Sequence, residues 1–260
     1  MIPKIIHYCW FGGNELPPLA KKCIKSWKKY CKGYKIIKWD ESNFDISSAP
    51  LYVRQAYEAK KWAFVSDYVR LWAMVNYGGI YMDTDVEVIK PLDDFLKHNA
   101  FSGFEDEINI PTGIMACEKE FPLFNKLLHY YDDAVFFKED GSLDTTNNVV
   151  IITNMCLKIG LKQNNTFQIL DGFALYPNDY FCPKSYVDGI IRKTENSATI
   201  HHFNSSWLSE TSQKNKQIRW KKKKKRAKQK ARRAKAKSAF IKVFGENTYK
   251  RIRGTDKEES

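Results

Sequence analysis

A helix-like segment that runs directly into a strand constrains the fold of this chain more than any other feature. Residues 51–77 repeat apolar side chains at the spacing of one helix face. The glycine pair at 78–79 ends that pattern, and the apolar run 80–83 follows at once with the character of a buried strand. A helix that feeds straight into a buried strand is typical of layered α/β proteins.

The same alternation of helix and strand runs through the rest of the first 203 residues. Further strands are predicted at 2–11, 34–39, 85–89, 101–104, 113–117, 167–170, 174–176 and 198–203. Further helices are predicted at 17–31, 121–137 and 148–161. The predicted fold class is therefore α/β.

Charge divides the chain into two parts. Residues 211–260 contain 20 Lys and Arg against 4 Asp and Glu, a net +16, whereas residues 1–210 have a net charge of −3. We therefore expect a near-neutral globular domain over 1–210 and a basic tail over 211–260. A protein that binds nucleic acid through its folded domain carries its basic surface on that domain, which is not the pattern here. No apolar run approaches the roughly 20 residues that cross a bilayer, and no secretion signal opens the chain, so we expect a cytoplasmic protein.

Two carboxylates follow the strand at 80–83. In an extended segment Asp83 and Asp85 share a face, and Thr84 points to the other side. Neighbouring anions repel one another unless a cation lies between them, and oxygen ligands suit hard ions such as Mg²⁺ or Mn²⁺. The pair is therefore a candidate metal site that would bind a diphosphate; the alternative is an acidic turn at the end of a strand.

A second pair of charges lies in the apolar helix before that strand. Asp67 and Arg70 are three residues apart and hence neighbours on one helix face. The residues around them are almost all apolar or aromatic, so we expect the pair to be partly buried and to need polar partners. Hydroxyl groups of a sugar fit this requirement. The alternative is a surface ion pair worth about 0.2–0.5 kcal/mol.

Four blocks of sequence together resemble a known enzyme family. They are IPKIIHYCWFGG at 2–13, SDYVR at 66–70, GGIYMDTD at 78–85 and HHFNSSW at 201–207. In this order they resemble the sugar transferases with a DXD motif (glycosyltransferase family 32, of capsule and mannan synthesis). They are also similar to the glucosyltransferase domains of large clostridial toxins. The resemblance implies a GT-A-like nucleotide-diphospho-sugar transferase fold and retention of configuration at the transferred hexose.

The resemblance also implies a role for each matched residue. Trp10 would stack on the uracil of a UDP-sugar, although a core tryptophan at a strand end is the alternative. Asp67 and Arg70 would hold the donor sugar and, with Asp85, form the catalytic group. The implied metal ligands are Asp83, Asp85 and His201, for Mn²⁺ or Mg²⁺. The other implied donor-binding residues are Ile6, Asp83, Thr84, Ser206 and Trp207.

The basic tail predicts a surface partner. Residues 219–237 have the composition of a helix, but their like charges repel, so we expect an anionic surface to order them. Anionic lipids attract such tracts at about 1 kcal/mol per basic residue, and the apolar group at 240–244 can add a second anchor. We therefore expect residues 213–244 to bind the inner face of the plasma membrane. A disordered solubilising tail and a nucleic-acid-binding tail are the alternatives.

The sequence thus predicts a metal-dependent, retaining glycosyltransferase of surface-polysaccharide synthesis. Its partners would be a UDP-sugar donor and a glycan or lipid-linked acceptor. One alternative is a toxin-like glucosyltransferase that modifies proteins. Another is a non-enzymatic nucleic-acid-binding protein that acts through the tail, but this second alternative leaves the pairs Asp67–Arg70 and Asp83–Asp85 without a purpose.

Overall fold

The computed structural model describes residues 1–205 and 210–253. The chain divides into two compact units. Of the described residues, the first unit comprises Met1–Ser185 and 191–205, and the second comprises Tyr186–Ile190 and 210–253. Residues 186–190 therefore group with the second unit, although the sequence assigns them to the globular domain.

The first unit is built on a seven-stranded mixed sheet in the order β2-β1-β3-β6-β5-β8-β7. Strands β4 and β9 pair separately. The strands are β1 (Ile5–Cys9), β2 (Lys35–Trp39), β3 (Gly79–Met82), β4 (Val86–Val88), β5 (Ala100–Gly103), β6 (Ile114–Cys117), β7 (Gln168–Leu170), β8 (Phe173–Tyr176) and β9 (Thr199–His201).

The helices of this unit follow the strands along the chain. They are α1 (Pro18–Tyr30), α2 (Leu51–Glu58), α3 (Trp62–Tyr77), α4 (Pro122–His129), α5 (Asn148–Lys158) and α6 (Asn178–Phe181), with 3-10 turns at Ile46–Ser48 and Asp93–Phe95. Helices and strands alternate along the chain, so the predicted α/β class is confirmed.

The neighbouring strands β2, β1 and β3 run parallel, whereas β6 pairs with β3 in the antiparallel direction. Because parallel strands end at the same edge of a sheet, the segments that follow Cys9 and Met82 lie close together. Gly78 precedes β3 and Gly79 is its first residue, with φ of 63° and 109°, which confirms the predicted glycine turn. This edge carries the candidate site.

Two hydrophobic cores form, one on each face of the sheet. One contains side chains of α2, α3, α4 and α5, and the other contains side chains of α1, α6 and β4. Strand β1 contributes to both, because alternate residues point to opposite faces: Cys9 packs in the first core, and Ile6 and Tyr8 pack in the second. Both faces of the sheet are therefore covered, as in other layered α/β proteins.

The helix predicted at 51–77 is two helices. Lys60 adopts a left-handed φ of 55°, and the backbone N–H of Lys61 donates to the carbonyl of Ala56 at 2.8 Å. This six-to-one hydrogen bond is a Schellman end, which a lysine can form at some conformational cost. The break lets α2 and α3 present different apolar faces to the same core.

The helix predicted at 121–137 ends at His129. The chain turns there because two aromatic residues beyond it enter the core: the rings of Tyr131 and Phe136 pack edge-on against Tyr52, with centroids 5.1 Å and 5.3 Å away. Tyr131 also donates its hydroxyl to Oδ1 of Asn148 at 2.6 Å. Tertiary packing thus overrides the helical pattern after the second turn.

The second unit contains α7 (Glu210–Phe244) and α8 (Glu246–Arg253), with Gly245 between them at a φ of 79°. The predicted helical C-terminal extension is confirmed. Within this unit Trp220 donates its indole N–H to the carbonyl of Tyr186 at 2.9 Å. No helix in residues 1–205 or 210–253 is both long and apolar enough to cross a membrane.

Candidate active site

The candidate site begins where the parallel strands β1 and β3 end. Their register pairs His7 with Tyr81, so the chain leaves β1 toward Trp10 beside the place where β3 continues into Asp83 and Thr84. The N–H of Asp83 donates to the carbonyl of Gly113 at 2.8 Å, which anchors the first carboxylate to the neighbouring antiparallel strand. Ligands of open α/β sheets bind at such carboxyl ends.

A buried ion pair on α3 forms one side of the site. Nη2 of Arg70 lies 2.9 Å from Oδ1 of Asp67, and the two side chains are only 6% and 12% exposed. Arg70 also donates from Nη1 to the carbonyl of Thr112 at 2.7 Å and from Nε to the carbonyl of Ser66 at 3.1 Å. The pair is therefore buried and partnered, as its apolar surroundings predict.

The same arginine reaches the first aspartate of the DXD motif. Nη1 of Arg70 lies 3.3 Å from Oδ1 of Asp83, and the hydroxyl of Tyr81 donates to that oxygen at 2.9 Å. The guanidinium lies 4.6 Å from the centre of the Tyr81 ring. Arg70 thus connects the carboxylates of Asp67 and Asp83 into one charged chain.

Burial and the neighbouring charges together set the protonation states of Asp67 and Arg70. Burial raises the pKa of Asp67 to about 6, although the positive charge of Arg70 opposes the rise. Burial also disfavours the charge on Arg70, but Asp83 and Asp67 outweigh it and raise the pKa of the guanidinium above its ordinary value. Arg70 therefore stays charged, and Asp67 changes protonation closer to neutral pH than an exposed aspartate does.

The second aspartate of the motif meets a histidine from the far end of the unit. Strands β4 and β9 pair so that Val86 lies opposite His201. As a result, Nε2 of His201 lies 3.3 Å from Oδ1 of Asp85. The N–H of Asn204 donates to the other carboxylate oxygen at 2.6 Å. The short β4–β9 sheet therefore brings together residues that are 116 positions apart.

Asp85 and His201 stabilise each other's charged forms. Burial alone would raise the pKa of Asp85, but the imidazole of His201 outweighs burial and lowers that pKa to about 2. Burial likewise disfavours the imidazolium, but Asp85 outweighs burial and holds the pKa of His201 well above its usual value. The charged form of each group therefore favours that of the other across the 3.3 Å between Nε2 and Oδ1.

Asp83, Asp85 and His201 form a candidate metal centre. Each offers one ligand atom, and these three atoms all lie within 4.8 Å of one another. Two carboxylate oxygens and one imidazole nitrogen suit Mn²⁺, and carboxylates also suit Mg²⁺. Nδ1 of His201 is buried and has no nitrogen or oxygen hydrogen-bond partner among residues 1–205 and 210–253. The residues present therefore fit a divalent cation held between the two aspartates and His201.

The other residues that the sequence implies for the donor are placed differently. Trp10 is half-buried and donates its indole N–H to the carbonyl of Asn14 at 2.6 Å, and Thr84 is half-buried between the two aspartates. The side chain of Ile6 is fully buried in the core, so it does not reach the surface of the site. Ser206 and Trp207 lie outside the described residues.

Thr112, Asn148 and Glu105 are among the residues of the site that are not identified from the sequence. The Thr112 carbonyl binds Arg70, and the side-chain amide of Asn148 donates to the carbonyl of Asp67 at 2.9 Å. Burial raises the pKa of Glu105, which interacts electrostatically with His201 and both aspartates of the motif. A backbone carbonyl leaves no mark in a sequence. The position of Glu105 just after a predicted strand is a signal that could have been used.

A cavity of about 510 Å³ lies where the chain leaves β2. It is lined by Glu41, Ser42, Asn43, Phe44, Asp45, Ile46, Ser47 and Tyr57. Oε1 of Glu41 accepts a hydrogen bond from the N–H of Gly12 at 2.7 Å, which ties this wall to the loop after β1. The N–H of Trp10 donates to the carbonyl of Trp39 at 2.9 Å, so the cavity adjoins the edge of the sheet that carries Trp10.

Comparison with known proteins agrees with this arrangement. Residues 17–102 match the family described as "Glycosyltransferase sugar-binding region containing DXD motif". The chain is 27% identical over 222 residues to an uncharacterized glycosyltransferase, L373, of Acanthamoeba polyphaga mimivirus, across 78% of this chain and 85% of that protein. It is 32% identical over 125 residues to inositol phosphoceramide mannosyltransferase 3 of Schizosaccharomyces pombe, across 46% of this chain but only 35% of that protein.

A solved structure of the PaToxG glycosyltransferase aligns with 60% of this chain and 69% of its own at a TM-score of 0.45 and 19% identity. The matched region 17–102 contains the ion pair on α3 and the motif Asp83-Thr84-Asp85. The family match and the similarity of most of the chain to the mimivirus enzyme show that this protein is a glycosyltransferase that carries the DXD-containing sugar-binding region.

Proposed function

We propose that this protein transfers a hexose from a UDP-sugar to a hydroxyl group of a glycan or lipid-linked acceptor, with a divalent cation and with retention of configuration. The observation that supports this most is the Asp83–Asp85–His201 cluster, whose ligand atoms lie within 4.8 Å of one another. The buried Asp67–Arg70 pair adjoins it through Arg70 and Asp83. Together they offer ligands for a cation and a carboxylate for sugar hydroxyls.

The two aspartates and His201 would hold the cation, Mn²⁺ or Mg²⁺. When bound, the cation supplies positive charge that stabilises the departing diphosphate. Asp85 is well prepared for this role, because the N–H of Asn204 fixes one of its oxygens and leaves the other facing His201. Asp83 is fixed in the same way by Tyr81 and Arg70. Preorganised ligands avoid the cost of rearrangement during the reaction.

Asp67 and Arg70 would act as a unit on the donor sugar. Nε, Nη1 and Nη2 of Arg70 all contact protein oxygens, so its main role would be to orient Asp67 and Asp83. Asp67 would accept hydrogen bonds from sugar hydroxyls. Because both groups are buried, water competes weakly for them and each hydrogen bond to the sugar counts for more.

Transfer would occur on one face of the sugar. The bond between the anomeric carbon and the diphosphate oxygen breaks, the acceptor oxygen bonds to that carbon from the same side, and the acceptor proton passes to the departing phosphate. This route needs no enzyme nucleophile. Capture of a covalent sugar–protein adduct by mass spectrometry of the enzyme with a slow fluorinated donor would contradict it, whereas an unmodified protein mass is the expected result.

The uracil would stack on Trp10 beside the cavity at the end of β2. Stacking of a base on an aromatic ring is worth about 1–3 kcal/mol. The cavity offers carboxylate, amide and hydroxyl groups within about 510 Å³, enough polar groups to hydrogen-bond a base. The Gly12–Glu41 hydrogen bond holds the loop that carries Trp10 against this cavity.

The second unit would bind an anionic membrane through residues 213–244, at the inner face of the plasma membrane. Its long helix has basic side chains exposed around it, and Val243 and Phe244 are 71% and 58% exposed near its end. Exposed basic residues attract anionic headgroups, and exposed apolar side chains enter the interface. Docking of this kind would concentrate the enzyme beside a lipid-linked acceptor of surface-polysaccharide synthesis.

The donor and the cation can be tested together without knowing the acceptor. The purified chain is incubated with a panel of UDP- and GDP-hexoses and Mn²⁺, Mg²⁺ or EDTA, and the released nucleoside diphosphate is measured. We expect slow hydrolysis of one UDP-hexose that stops with EDTA and returns with Mn²⁺. GDP-mannose is included because the fission-yeast relative is a mannosyltransferase. Hydrolysis that continues unchanged in EDTA would contradict the metal role, and preference for a GDP-hexose would contradict the UDP assignment.

Membrane docking is tested by flotation of the full chain with vesicles. We expect it to float with phosphatidylcholine vesicles that contain phosphatidylserine and not with phosphatidylcholine alone. The variant V243S/F244S should float less, because it removes the two exposed apolar side chains but keeps every charge. Equal flotation with both vesicles would contradict the proposal. If duplex DNA prevents flotation at low concentration, the nucleic-acid alternative is favoured instead.

A further inference from the structure

The two residues before β6 hold the candidate metal centre together. The carbonyl of Thr112 accepts a hydrogen bond from Nη1 of Arg70 at 2.7 Å. The next carbonyl, that of Gly113, accepts one from the N–H of Asp83 at 2.8 Å. The β3–β6 register pairs Met82 with Ile114, so Gly113 comes directly opposite Asp83. This segment therefore contacts two of the three charged residues in the row Asp67–Arg70–Asp83, namely Arg70 and Asp83.

Gly113 also lies against the imidazole of His201. A Cβ atom added at position 113 would lie 2.8 Å from Cε1 and 2.9 Å from Nδ1 of His201, and 3.4 Å from Oδ2 of Asp83. Carbon atoms in contact are normally about 3.5–4.0 Å apart. Even the smallest side chain at this position would therefore overlap the imidazole ring.

The imidazole has little room to move away. It also contacts the Phe203 ring, whose centroid lies 4.2 Å away at a tilt of 33°, the carboxylate of Asp85 at 3.3 Å from Nε2, and the thiol of Cys182. The His201 side chain is only 12% exposed. A shift that relieved the overlap would separate the imidazole from Asp85 or disturb the contact with Phe203.

The backbone conformation at position 113 does not explain why a glycine stands there. Ten other glycines of the described residues have a positive φ, where glycine is favoured for its conformation, but Gly113 is not among them. Its backbone is available to any residue. The distances to His201 leave the absence of a side chain as the property that this position requires.

We propose that Gly113 is a positioning residue: because it has no side chain, the imidazole of His201 can reach Asp83 and Asp85 and complete the three-ligand set. This inference rests on the proposed function, since it assumes that the three residues bind a cation. It identifies a residue that neither ligates the cation nor touches the donor but controls whether the third ligand can do so.

The test is a double-mutant cycle on metal affinity. Mn²⁺ is titrated into the full chain without donor, and free Mn²⁺ is measured by electron paramagnetic resonance for wild type, G113A, H201A and G113A/H201A. We expect G113A to weaken binding by about tenfold or more, the size seen when supporting residues of metal ligands are changed. In the H201A background the same substitution should change affinity less than about twofold, because the imidazole that it displaces is gone.

The outcomes separate this inference from the proposed function. If the wild-type chain does not bind Mn²⁺, the proposed function fails. If the wild-type chain binds and G113A binds equally well, or if G113A weakens binding by the same factor in both backgrounds, the inference on Gly113 is overturned.

Folding is monitored by circular dichroism, with G103A as the control. Gly103 also lacks a positive φ, and a Cβ there would lie 3.0 Å from Phe181 and from the carbonyl of Tyr176. G103A should therefore lower stability without the tenfold loss of Mn²⁺ affinity. If G113A does not fold, G113A/H201A should still fold, because the added methyl group enters the space left by the imidazole; a double variant that also fails to fold would overturn the inference.

Discussion

Helices α3 and α7 belong to different units and are stable for different reasons. Nine of the sixteen residues of α3 are buried, including the charged pair Asp67 and Arg70. In the 35-residue α7, Trp220 and Lys216 are buried, but most basic side chains are exposed. Packing of an apolar face maintains α3, whereas α7 depends on intrinsic helix propensity against the repulsion of its own charges.

A charge can orient a substrate only where the protein fixes its position. Arg70 is held by four protein oxygens in a buried site, so its geometry is fixed and its field is weakly screened. The exposed Arg226 of α7 is surrounded by water and other cations, so it can add to a general attraction for an anionic surface but cannot orient a substrate. We therefore expect catalysis in the first unit and electrostatic attraction to an anionic surface in the second.

The largest expected effect is on turnover. Asp85→Asn keeps the shape of the side chain but removes the charge that would hold the cation, so donor hydrolysis should fall by about a thousandfold. Circular dichroism should show an unchanged fold. The control Asp94→Asn changes an exposed carboxylate in the 3-10 turn between β4 and β5, and it should keep full activity. Retained activity in Asp85→Asn would remove the metal from the proposed function.

The second largest effect is expected on the free energy of unfolding, where Arg70 of the first unit is compared with Arg226 of the second. Arg70→Ala leaves the buried carboxylate of Asp67 and the half-buried carboxylate of Asp83 without their counter-ion, which should lower the free energy of unfolding by about 3–5 kcal/mol. Arg226→Ala should change it by less than about 0.5 kcal/mol, because its side chain is exposed. Urea denaturation followed by tryptophan fluorescence measures both. Equal effects of the two substitutions would contradict the contrast between a buried charge in the first unit and an exposed charge in the second.

The stability of the first unit should also depend on pH, because of His7. His7 is fully buried, binds the carbonyl of Gly78 through Nε2 and accepts the Trp39 indole N–H at Nδ1. Burial lowers its pKa from 6.5 to about 4. Between pH 4 and pH 6.5 the unfolded chain binds a proton at His7 and the folded chain does not. The contribution of His7 to the free energy of unfolding is therefore complete above pH 6.5 and falls by about 3 kcal/mol as the pH drops toward 4.

This prediction is checked by urea denaturation from pH 7 to pH 4 on wild type and His7→Gln. Glutamine can donate and accept in the same space but does not titrate. The difference in unfolding free energy between the two proteins should shrink as pH falls through this window. A difference that stays constant would show that His7 is not held neutral by burial. Comparing the two proteins cancels the opposite contribution of Asp67, whose raised pKa acts in the same range.

The smallest effect is expected in the second unit. Ala231 lies on α7 with an exposed side chain, so Ala231→Gly should cost about 1 kcal/mol of helix stability and reduce the helical signal in circular dichroism. Hydrolysis of the donor in solution should change less than about twofold, because the chemistry belongs to the first unit. A large loss of hydrolysis would show that the two units are not separate in function.

Much of the fold and part of the site follow from local patterns. The alternation of helices and strands, the glycine turn before β3 and the helical tail are all predicted from sequence and confirmed. Two helix ends are predicted wrongly, at Glu58 and at His129, because packing around Tyr52 and a left-handed Lys60 ended the helices where no breaker residue stands. Propensity describes a segment alone and does not include the core that it must fit.

Local spacing is enough to predict that Asp67 and Arg70 are neighbours and that Asp83 and Asp85 follow one strand, because the repeats of a helix and of a strand set these pairs. The contact of Arg70 with Asp83, and the room that Gly113 leaves for His201 beside Asp85, follow only from the packed fold. These contacts join residues from α3, β3, β6 and β9. Their distances depend on how the sheet is ordered and packed, which no local spacing records.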